Sequence, residues 1–267
     1  MIEIIPPKKS LGQNFLIDNN ISRKIIEELN IQENDIVLEI GPGTGALTTL
    51  LLERNIELTL VELDHRAVSL LKEKFANKSF NIIQNDIRKV DLNEIANGKK
   101  LKVIGNIPYY ISADILFLLL ENYQIIDTII IMVQKEVAKR VISNPDSKEY
   151  GILSVATDLV MKSKIAFDVS PNCFFPKPKV ISSILKLDKK ESLIQDINFN
   201  EIMKLVKSAF SQRRKTLRNS LKSYLTNYNE IILNSFNKEY NQILDKRAED
   251  LSASDYVQIF KYLNQIK

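Results

Sequence analysis

The chain has 267 residues, of which 45% are apolar by type, and its formal net charge is +4. A chain of this length can bury the core of one large domain and still provide a small second one. Its longest apolar runs, residues 115–120 and 129–133, are too short to cross a bilayer, so we expect no transmembrane helix and no membrane partner.

Cysteine and histidine are scarce, which argues against several kinds of chemistry. Cys173 is the single cysteine, so no internal disulfide can form, as suits a reducing cytosol. Residues 1–9 lack the basic region, long apolar core and cleavage site of a secretory signal, and we expect a cytoplasmic protein. The single histidine, His65, lies at a predicted helix start and is expected on the surface, so neither a transition-metal site nor Ser-His-Asp catalysis is expected.

The first functional pattern along the chain is a glycine turn between a strand and a helix. Residues 36–40 form a short apolar run typical of a buried strand, and residues 47–54 have a helical pattern. Between them, Gly41, Gly43 and Gly45 let the backbone approach a ligand at a helix N-terminus. The pattern predicts a nucleotide-binding turn, although its Gly-x-Gly-x-Gly spacing differs from the Gly-x-Gly-x-x-Gly of dinucleotide binders.

Carboxylates follow the next two predicted strands. Glu62 ends the strand 58–61, about 20 positions after the glycine turn, where folds of this class hold ribose hydroxyls. Asp86 follows the strand 80–84 and is an acceptor suited to an adenine amino group. A solvated strand end explains either residue alone, but two carboxylates at successive strand ends favour a nucleoside site.

The most informative stretch of the chain is the run Asn106-Ile107-Pro108-Tyr109, which follows another hydrophobic strand. The Asn106 side-chain oxygen and the next backbone carbonyl can accept hydrogen bonds from an amine, while the Tyr109 ring offers a flat face to the base that carries it. Alone, such a run is more often an ordinary proline turn. The upstream turn and carboxylates favour methylation of an exocyclic amino nitrogen instead.

Positive charge is concentrated near the C-terminus. Residues 181–267 contain 15 Lys or Arg and 10 Asp or Glu, whereas the first 180 residues contain 22 and 23. Basic residues recur there at helical spacing beside an apolar stripe. The basic set is Lys204, Lys207, Arg214, Arg218 and Lys222, and the apolar set is Val206, Phe210, Leu217, Leu221 and Leu225. A merely solvated face is one explanation, and a phosphate-binding face for RNA is the one we favour.

Five segments, 8–16, 39–45, 106–109, 174–180 and 210–219, form a specific signal in this order. They resemble the class I S-adenosylmethionine-dependent methyltransferases, and more closely the small-subunit ribosomal RNA adenine dimethyltransferases, the KsgA family. The resemblance implies an α/β fold, with a Rossmann-like sheet that has helices on both faces and a small C-terminal α-helical domain. Prolines at 171, 176 and 178 precede the strand-like residues 180–187, which the family keeps in the catalytic sheet. We therefore expect a catalytic domain over 1–188 and an RNA-binding domain over 189–267.

The resemblance also implies roles for individual residues. Those implied for the methyl donor, S-adenosylmethionine, are Gln13, Asn14, Leu16, Gly41, Gly43, Glu62, Leu63, Asp86, Ile87 and Asn106. Those implied for the target adenine are Asn106, Ile107, Pro108, Tyr109 and Phe174. RNA contacts are expected at Arg213, Arg214, Lys215, Arg218 and Lys222, and no metal is expected. The segment 172–177 is unusual for the family, so Phe175 is an alternative to Phe174, and core packing is an alternative for both. Many members have Leu at the position of Ile107, which leaves the backbone carbonyl unchanged.

The implied reaction is N6,N6-dimethylation of adjacent adenosines in a small-subunit rRNA hairpin, late in subunit biogenesis. Our hypothesis is direct displacement, in which the adenine is extruded, held between Tyr109 and a Phe, and attacks the sulfonium methyl through N6. Hydrogen bonds from N6 to the Asn106 oxygen and the Ile107 carbonyl would make the nitrogen more nucleophilic. The expected partner is the immature small subunit, and a monomer is expected because no heptad pattern requires a second copy.

Three alternatives remain at this point. A macrolide-resistance dimethyltransferase of large-subunit RNA shares the catalytic motifs, although residues 212–219 resemble the small-subunit family more. A non-catalytic ribosome-assembly factor on the same fold is disfavoured as the only role by the intact donor and target motifs. An NAD-dependent dehydrogenase is disfavoured by the glycine spacing and by residues 106–109.

Overall fold

The computed structural model describes residues 5–8 and 11–265. Residues 1–4 of the N-terminal stretch, together with Lys9 and Ser10 of the first motif, lie outside these described residues. The strands are β1 (Phe15–Leu16), β2 (Ile36–Ile40), β3 (Glu57–Glu62), β4 (Asn81–Gln84), β5 (Leu101–Asn106), β6 (Ile126–Gln134), β7 (Met161–Val169), β8 (Phe174–Phe175) and β9 (Ser182–Lys189).

Thirteen α-helices occur within the described ranges. They are α1 (Asn19–Glu28), α2 (Thr48–Leu51), α3 (His65–Lys74), α4 (Leu92–Ala96), α5 (Ser112–Glu121), α6 (Lys135–Val141), α7 (Ile152–Val160), α8 (Phe199–Phe210), α9 (Leu217–Ser220), α10 (Lys222–Leu225), α11 (Glu230–Glu239), α12 (Asn241–Leu244) and α13 (Ala253–Leu263). None of the helices in the described part of the chain is long and apolar enough to cross a membrane.

A seven-stranded mixed sheet organises the first part of the molecule. Its strand order is β4-β3-β2-β5-β6-β9-β7. The pairs β4–β3, β3–β2, β2–β5 and β5–β6 are parallel, and β9 runs antiparallel to β6. The chain order reverses between β2 and β5, and ligands of open α/β sheets bind outside the carboxyl ends of the strands at such a point. The expected α/β architecture is confirmed.

The central strands are buried because most of their residues are apolar on both faces. All five residues of β2 are buried, and only the last residue of β5 is partly exposed. Parallel strands covered on both faces have this continuous apolar pattern, which explains why their positions are readable from sequence. Gly105 of β5 fits a close approach of strands, because a Cβ there would lie 2.5 Å from the carbonyl oxygen of Ile40.

The helix expected over residues 47–54 is shorter than its pattern indicates. Regular α-helix is confined to Thr48–Leu51, and turns occupy the residues on either side. Gly45, with a φ of +82°, precedes the helix, and its position leaves no room for a side chain beside Phe75. Leu47 and Leu51 are nevertheless buried, and Leu50 and Leu52 are partly buried against the core, so the pattern predicts burial better than helix length.

The chain forms two compact units, which differ from a single division at residue 188. One unit comprises the described part of Met1–Ala138 with Ser163–Lys189, and the other comprises Lys139–Lys162 with the described part of Lys190–Lys267. Residues 139–162 join the second unit because α7 packs against α8 and α13. The roles expected for the two parts, catalysis and RNA binding, stay a prediction.

Aromatic residues form the interior of the second unit. The Phe210 ring lies 6.3 Å from the rings of both Tyr150 and Tyr256. The Tyr150 hydroxyl donates to the carbonyl of Leu251 over 2.8 Å, so its polar end is satisfied inside the core. The residues at helical spacing over 204–225 do not form one helix. The segment is divided among α8, α9 and α10, since turns interrupt the helix between Ser211 and Thr216.

Candidate active site

A pocket lies at the carboxyl ends of β2, β3, β4 and β5, where the strand order reverses. It contains about 1040 Å³ of space, including its open mouth. Residues 11–16, 39–44, 61–63, 85–88 and 106–111 line it, with Ala46, Leu47 and Ile115. Every residue expected to hold the methyl donor lies in this lining. Of the residues expected to hold the adenine, only Phe174 is absent from it.

The glycine turn after β2 forms the floor of the pocket. Gly41 and Gly43 both have positive φ angles, +67° and +55°, which side chains adopt rarely. A Cβ at Gly43 would lie 3.0 Å from the Phe15 ring. The backbone N–H of Gly43 donates to the Glu62 Oε2 atom over 3.1 Å. A side chain at Gly43 would therefore press on the Phe15 ring, and the Gly43 N–H is held by Glu62.

Two residues of the pocket lining, Glu39 and Glu62, are buried. Glu39 is 1% exposed, and burial raises the pKa of its carboxyl to about 8, although Thr48 donates a 2.7 Å hydrogen bond to it. Burial also raises the pKa of Glu62, whose Oε1 accepts from the backbone N–H of Asp64 at 2.8 Å. Glu62 lines the pocket at the end of β3, which is where a carboxylate can accept from vicinal hydroxyls.

Asp86 is held in its charged form at the next strand end. The Arg88 guanidinium lies 2.6 Å from its Oδ2 and lowers the pKa of the Asp86 carboxyl below its usual value. Arg88 also lies 3.4 Å from Asp114. Asp86 and Ile87 both line the pocket, and an ionised carboxylate there suits a ligand amino group.

The Asn106–Tyr109 run crosses one edge of the pocket. Asn106 ends β5, and its Nδ2 donates to the carbonyl of Asn14 over 2.9 Å, which leaves its Oδ1 as the acceptor. Ile107 is 1% exposed and lies in the pocket lining. The Tyr109 hydroxyl lies 2.6 Å from the Ser182 Oγ, and burial raises the pKa of this phenol. The run therefore places the Asn106 Oδ1 acceptor and the hydrogen-bonded ring of Tyr109 in one pocket.

Phe174 and Phe175 point in opposite directions. Their strand β8 pairs antiparallel with β1, with Phe15 opposite Phe175 and Leu16 opposite Phe174. Phe174 is 3% exposed within the hydrophobic core, whereas Phe175 is 46% exposed. Alternate residues of a strand face opposite sides, which explains the difference. The contact of Phe174 with the adenine stays a prediction.

Comparison with known proteins agrees with the geometry of the pocket. The family model described as ribosomal RNA adenine dimethylase matches residues 6–265. The chain belongs to this family. The ribosomal RNA small subunit methyltransferase A of Chlorobium phaeobacteroides is 41% identical over 262 residues, which are 98% of this chain and 95% of that protein. The resemblance seen in the motifs is thereby confirmed, as are a methyltransferase fold, an rRNA substrate and S-adenosylmethionine as donor.

Solved structures extend the agreement. A dimethyladenosine transferase from Plasmodium falciparum superimposes with a TM-score of 0.80 at 28% identity, covering 94% of this chain and 98% of that one. The 23S rRNA methyltransferase ErmE superimposes with a TM-score of 0.68 at 24% identity, covering 94% and 100%. The second likeness establishes the shared fold alone.

Two pocket residues of this dimethylase, Tyr110 and Arg88, and one residue outside the lining, Asp64, were missed by sequence reasoning. Tyr110 is 62% exposed beside Tyr109, and its ring lies against the backbone of Gly12. Arg88 fixes Asp86, and Asp64 anchors Gln13 through a 2.9 Å hydrogen bond from the Gln13 Nε2. The Asp64-His65 pair did signal a helix start, and Asp64 is the N-cap of α3. His65 begins that helix with its side chain 68% exposed, as expected.

The expected RNA-binding cations fall into two groups in the second unit. Arg213 donates to Glu249 and to the carbonyl of Tyr150, both at 3.1 Å, and Arg218 pairs with Asp245 at 2.8 Å. Arg214, Lys215 and Lys222 are exposed and have no ion-pair partner within residues 11–265. The second group is the better candidate for phosphate contacts, because its charges are not already neutralised.

Proposed function

We propose that this dimethylase transfers two methyl groups to N6 of each of two adjacent adenosines in a small-subunit rRNA hairpin, late in subunit biogenesis. The observation that carries the proposal is that residues 106–109 line the same pocket as the residues expected to hold the donor, with the Asn106 Nδ2 bound to the Asn14 carbonyl so that its Oδ1 remains as an acceptor. The 41% identity to a small-subunit methyltransferase supports the choice of RNA.

The pocket residues fit the chemistry of the donor. The turn at Gly41 and Gly43 accommodates the methionine part, and the buried carboxylate of Glu62 accepts from ribose hydroxyls. Asp86, with Ile87, suits the adenine part, and residues 13, 14, 16 and 63 complete the wall. When bound, S-adenosylmethionine supplies an electrophilic methyl group on a sulfonium.

The residues of the Asn106–Tyr109 run prepare the amine. The Asn106 Oδ1 and the Ile107 carbonyl accept its two N–H bonds and draw the nitrogen toward a tetrahedral, more nucleophilic form. Pro108 limits the backbone conformations of the turn and begins the short helix that carries Tyr109. Tyr109 stacks on the base as a neutral ring, and the burial that raises the pKa of its phenol acts in the same direction. No strong base is required, because the amine proton becomes acidic only as the methyl arrives.

Substitutions of the two phenylalanines separate stacking from packing. Phe174→Ala is expected to lower the free energy of unfolding by about 3–5 kcal/mol, because it removes a buried ring from the core. Phe175→Ala is expected to lower it by less than about 1 kcal/mol. Thermal unfolding gives the stabilities, and transfer rates are compared at a temperature where both variants are folded. Phe174→Leu is also compared, because leucine fills more of the buried space than alanine. Slower methyl transfer in folded Phe174→Leu, with a normal rate in Phe175→Ala, would support Phe174 as the stacking residue. The opposite result would assign stacking to Phe175.

The free cations of the second unit provide a test of RNA binding. Lys215→Gln and Lys222→Gln are each expected to weaken RNA binding about threefold to tenfold and to reduce the salt dependence by about one phosphate contact. Lys238→Gln is the matched control, since Lys238 is also an exposed lysine of this unit. Binding is measured against salt by filter retention of a labelled rRNA hairpin. Equal affinities of all three variants would remove Lys215 and Lys222 from the RNA site.

The proposed partner is an immature small ribosomal subunit, bound by a monomer in the cytoplasm, where this substrate is assembled. The test is transfer of labelled methyl groups to small and large subunits from a strain that lacks this enzyme. Label in the small subunit alone is expected. Label in the large subunit would favour the resistance-type activity, and donor binding without any transfer would leave an assembly factor as the better description.

A further inference from the structure

Asp64 is a buried carboxylate that the donor pocket itself does not use. Its side chain is fully buried, yet it does not line the pocket. The Arg66 Nη2 lies 2.5 Å from its Oδ2, and the Lys8 Nζ lies 3.6 Å from its Oδ1. Hydrogen bonds from Arg66 are the main reason that the pKa of Asp64 is well below its usual range. A buried charge is stable only where its partners compensate for the lost hydration. The number of partners around Asp64 therefore indicates that this carboxylate has a role beyond packing.

Helix capping accounts for only one oxygen of Asp64. The Oδ1 atom accepts from the backbone N–H of Arg66 at 3.2 Å and thereby caps α3. Asp91 caps α4 in the same way, at 2.8 Å, while remaining exposed to solvent. The second oxygen of Asp64 accepts instead from the Gln13 Nε2 at 2.9 Å, which capping does not require.

Gln13 belongs to the segment 11–16, which we call the pocket wall because it lines the pocket along its whole length. The neighbouring residue of the wall, Asn14, accepts the side-chain N–H of Asn106 on its carbonyl, at 2.9 Å. Asp64 and Asn106 thus hold successive residues of the wall from two different strand ends. A displaced Gln13 would also displace the partner of Asn106.

Two further contacts brace the same corner. The Gln13 Oε1 accepts from the backbone N–H of Lys8 at 2.8 Å, and the Arg66 Nη1 donates to the carbonyl of Pro6 at 2.9 Å. Asp64 and Arg66 therefore hold the chain at Pro6 and Lys8, which precede the pocket wall, and at Gln13 within it. The contacts involve the charged carboxylate, so its charge and not only its shape matters.

We infer that Asp64 is a positioning residue that fixes the pocket wall through Gln13 and thereby slows release of the methyl donor. The inference rests on the proposed function, because it takes the pocket to be the donor site. Asp64 acts through the wall and touches neither donor nor adenine.

The substitution Asp64→Asn tests this with little change of shape. Asparagine caps helices about as well as aspartate, so α3 keeps its cap while the charge is lost. We expect the dissociation rate of S-adenosylmethionine, followed by stopped-flow fluorescence displacement, to rise about 10-fold, because the charge-assisted hydrogen bond that holds Gln13 is lost together with that of Arg66. The KM for the donor is expected to rise in parallel, with kcat at saturating donor and the KM for RNA unchanged.

The matched control is Asp91→Asn, which alters an N-cap that does not contact the pocket wall. It is expected to leave the donor dissociation rate unchanged. Gln13→Ala is the second variant should Asp64→Asn fold poorly, and the double variant is expected to release donor no faster than the faster single variant.

An unchanged dissociation rate in folded Asp64→Asn, or strictly additive effects in the double variant, would overturn the inference and reduce Asp64 to a helix cap. Failure of the wild-type protein to bind donor would instead contradict the proposed function. The two failures are distinguishable because the wild-type binding measurement comes first.

Discussion

Asn106→Ala is expected to slow methyl transfer at least about 100-fold at saturating donor and RNA, the usual effect of removing one group that stabilises developing charge. The Oδ1 of Asn106 is the side-chain acceptor of the run, and alanine leaves only the Ile107 carbonyl to orient the amine. The measurement is single-turnover transfer of labelled methyl groups to small subunits.

Asn77→Ala is the control for this substitution, because Asn77 is an exposed asparagine after α3 and does not line the pocket. Its transfer rate is expected to equal that of the wild type. A rate within threefold of wild type in folded Asn106→Ala would show that the amine is oriented by other groups.

Glu62→Ala is expected to weaken donor binding about 100-fold, since its carboxylate lines the pocket where the ribose is expected and is held there by two backbone hydrogen bonds. Loss of the carboxylate also releases the N–H of Gly43, which belongs to the turn that forms the pocket floor. Titration calorimetry with S-adenosylmethionine measures the dissociation constant.

The same strand supplies the control. Glu57 begins β3 at its opposite end, where it pairs with Lys99 on the surface at 2.8 Å. Glu57→Ala is expected to bind the donor as the wild type does, since exposed ion pairs contribute little and this one is remote from the pocket. Equal dissociation constants in folded Glu62→Ala and Glu57→Ala would exclude Glu62 as a donor ligand.

The pocket could be predicted from sequence because its parts are local features repeated at strand ends. The carboxyl ends of parallel strands lie at the same edge of the sheet. The polar residues that follow these strands therefore lie close together, regardless of the length of the helices that connect the strands. Gly43, Glu62, Asp86 and Asn106 were found in this way, and all four line one pocket.

Features that depend on distant pairing could not be predicted. The orientation of Phe174 is determined by the two-residue pairing of β8 with β1, which lies far away in the chain. Only the packing of α7 against α8 and α13 assigns residues 139–162 to the second unit. The role of Asp64 depends on Gln13, 51 positions earlier, so its sequence neighbourhood reveals a helix cap and nothing more.

Nucleoside analysis of small-subunit RNA after incubation with donor tests the central claim most directly. The RNA is reacted with wild-type protein or with Asn106→Ala and is then digested to nucleosides. The nucleosides are separated and identified by mass spectrometry. The account predicts N6,N6-dimethyladenosine from the wild type, with two methyl groups on each modified adenosine, and none above background from the variant. A methyl group on any other base or atom, or an equal yield of dimethyladenosine from the variant, would contradict it.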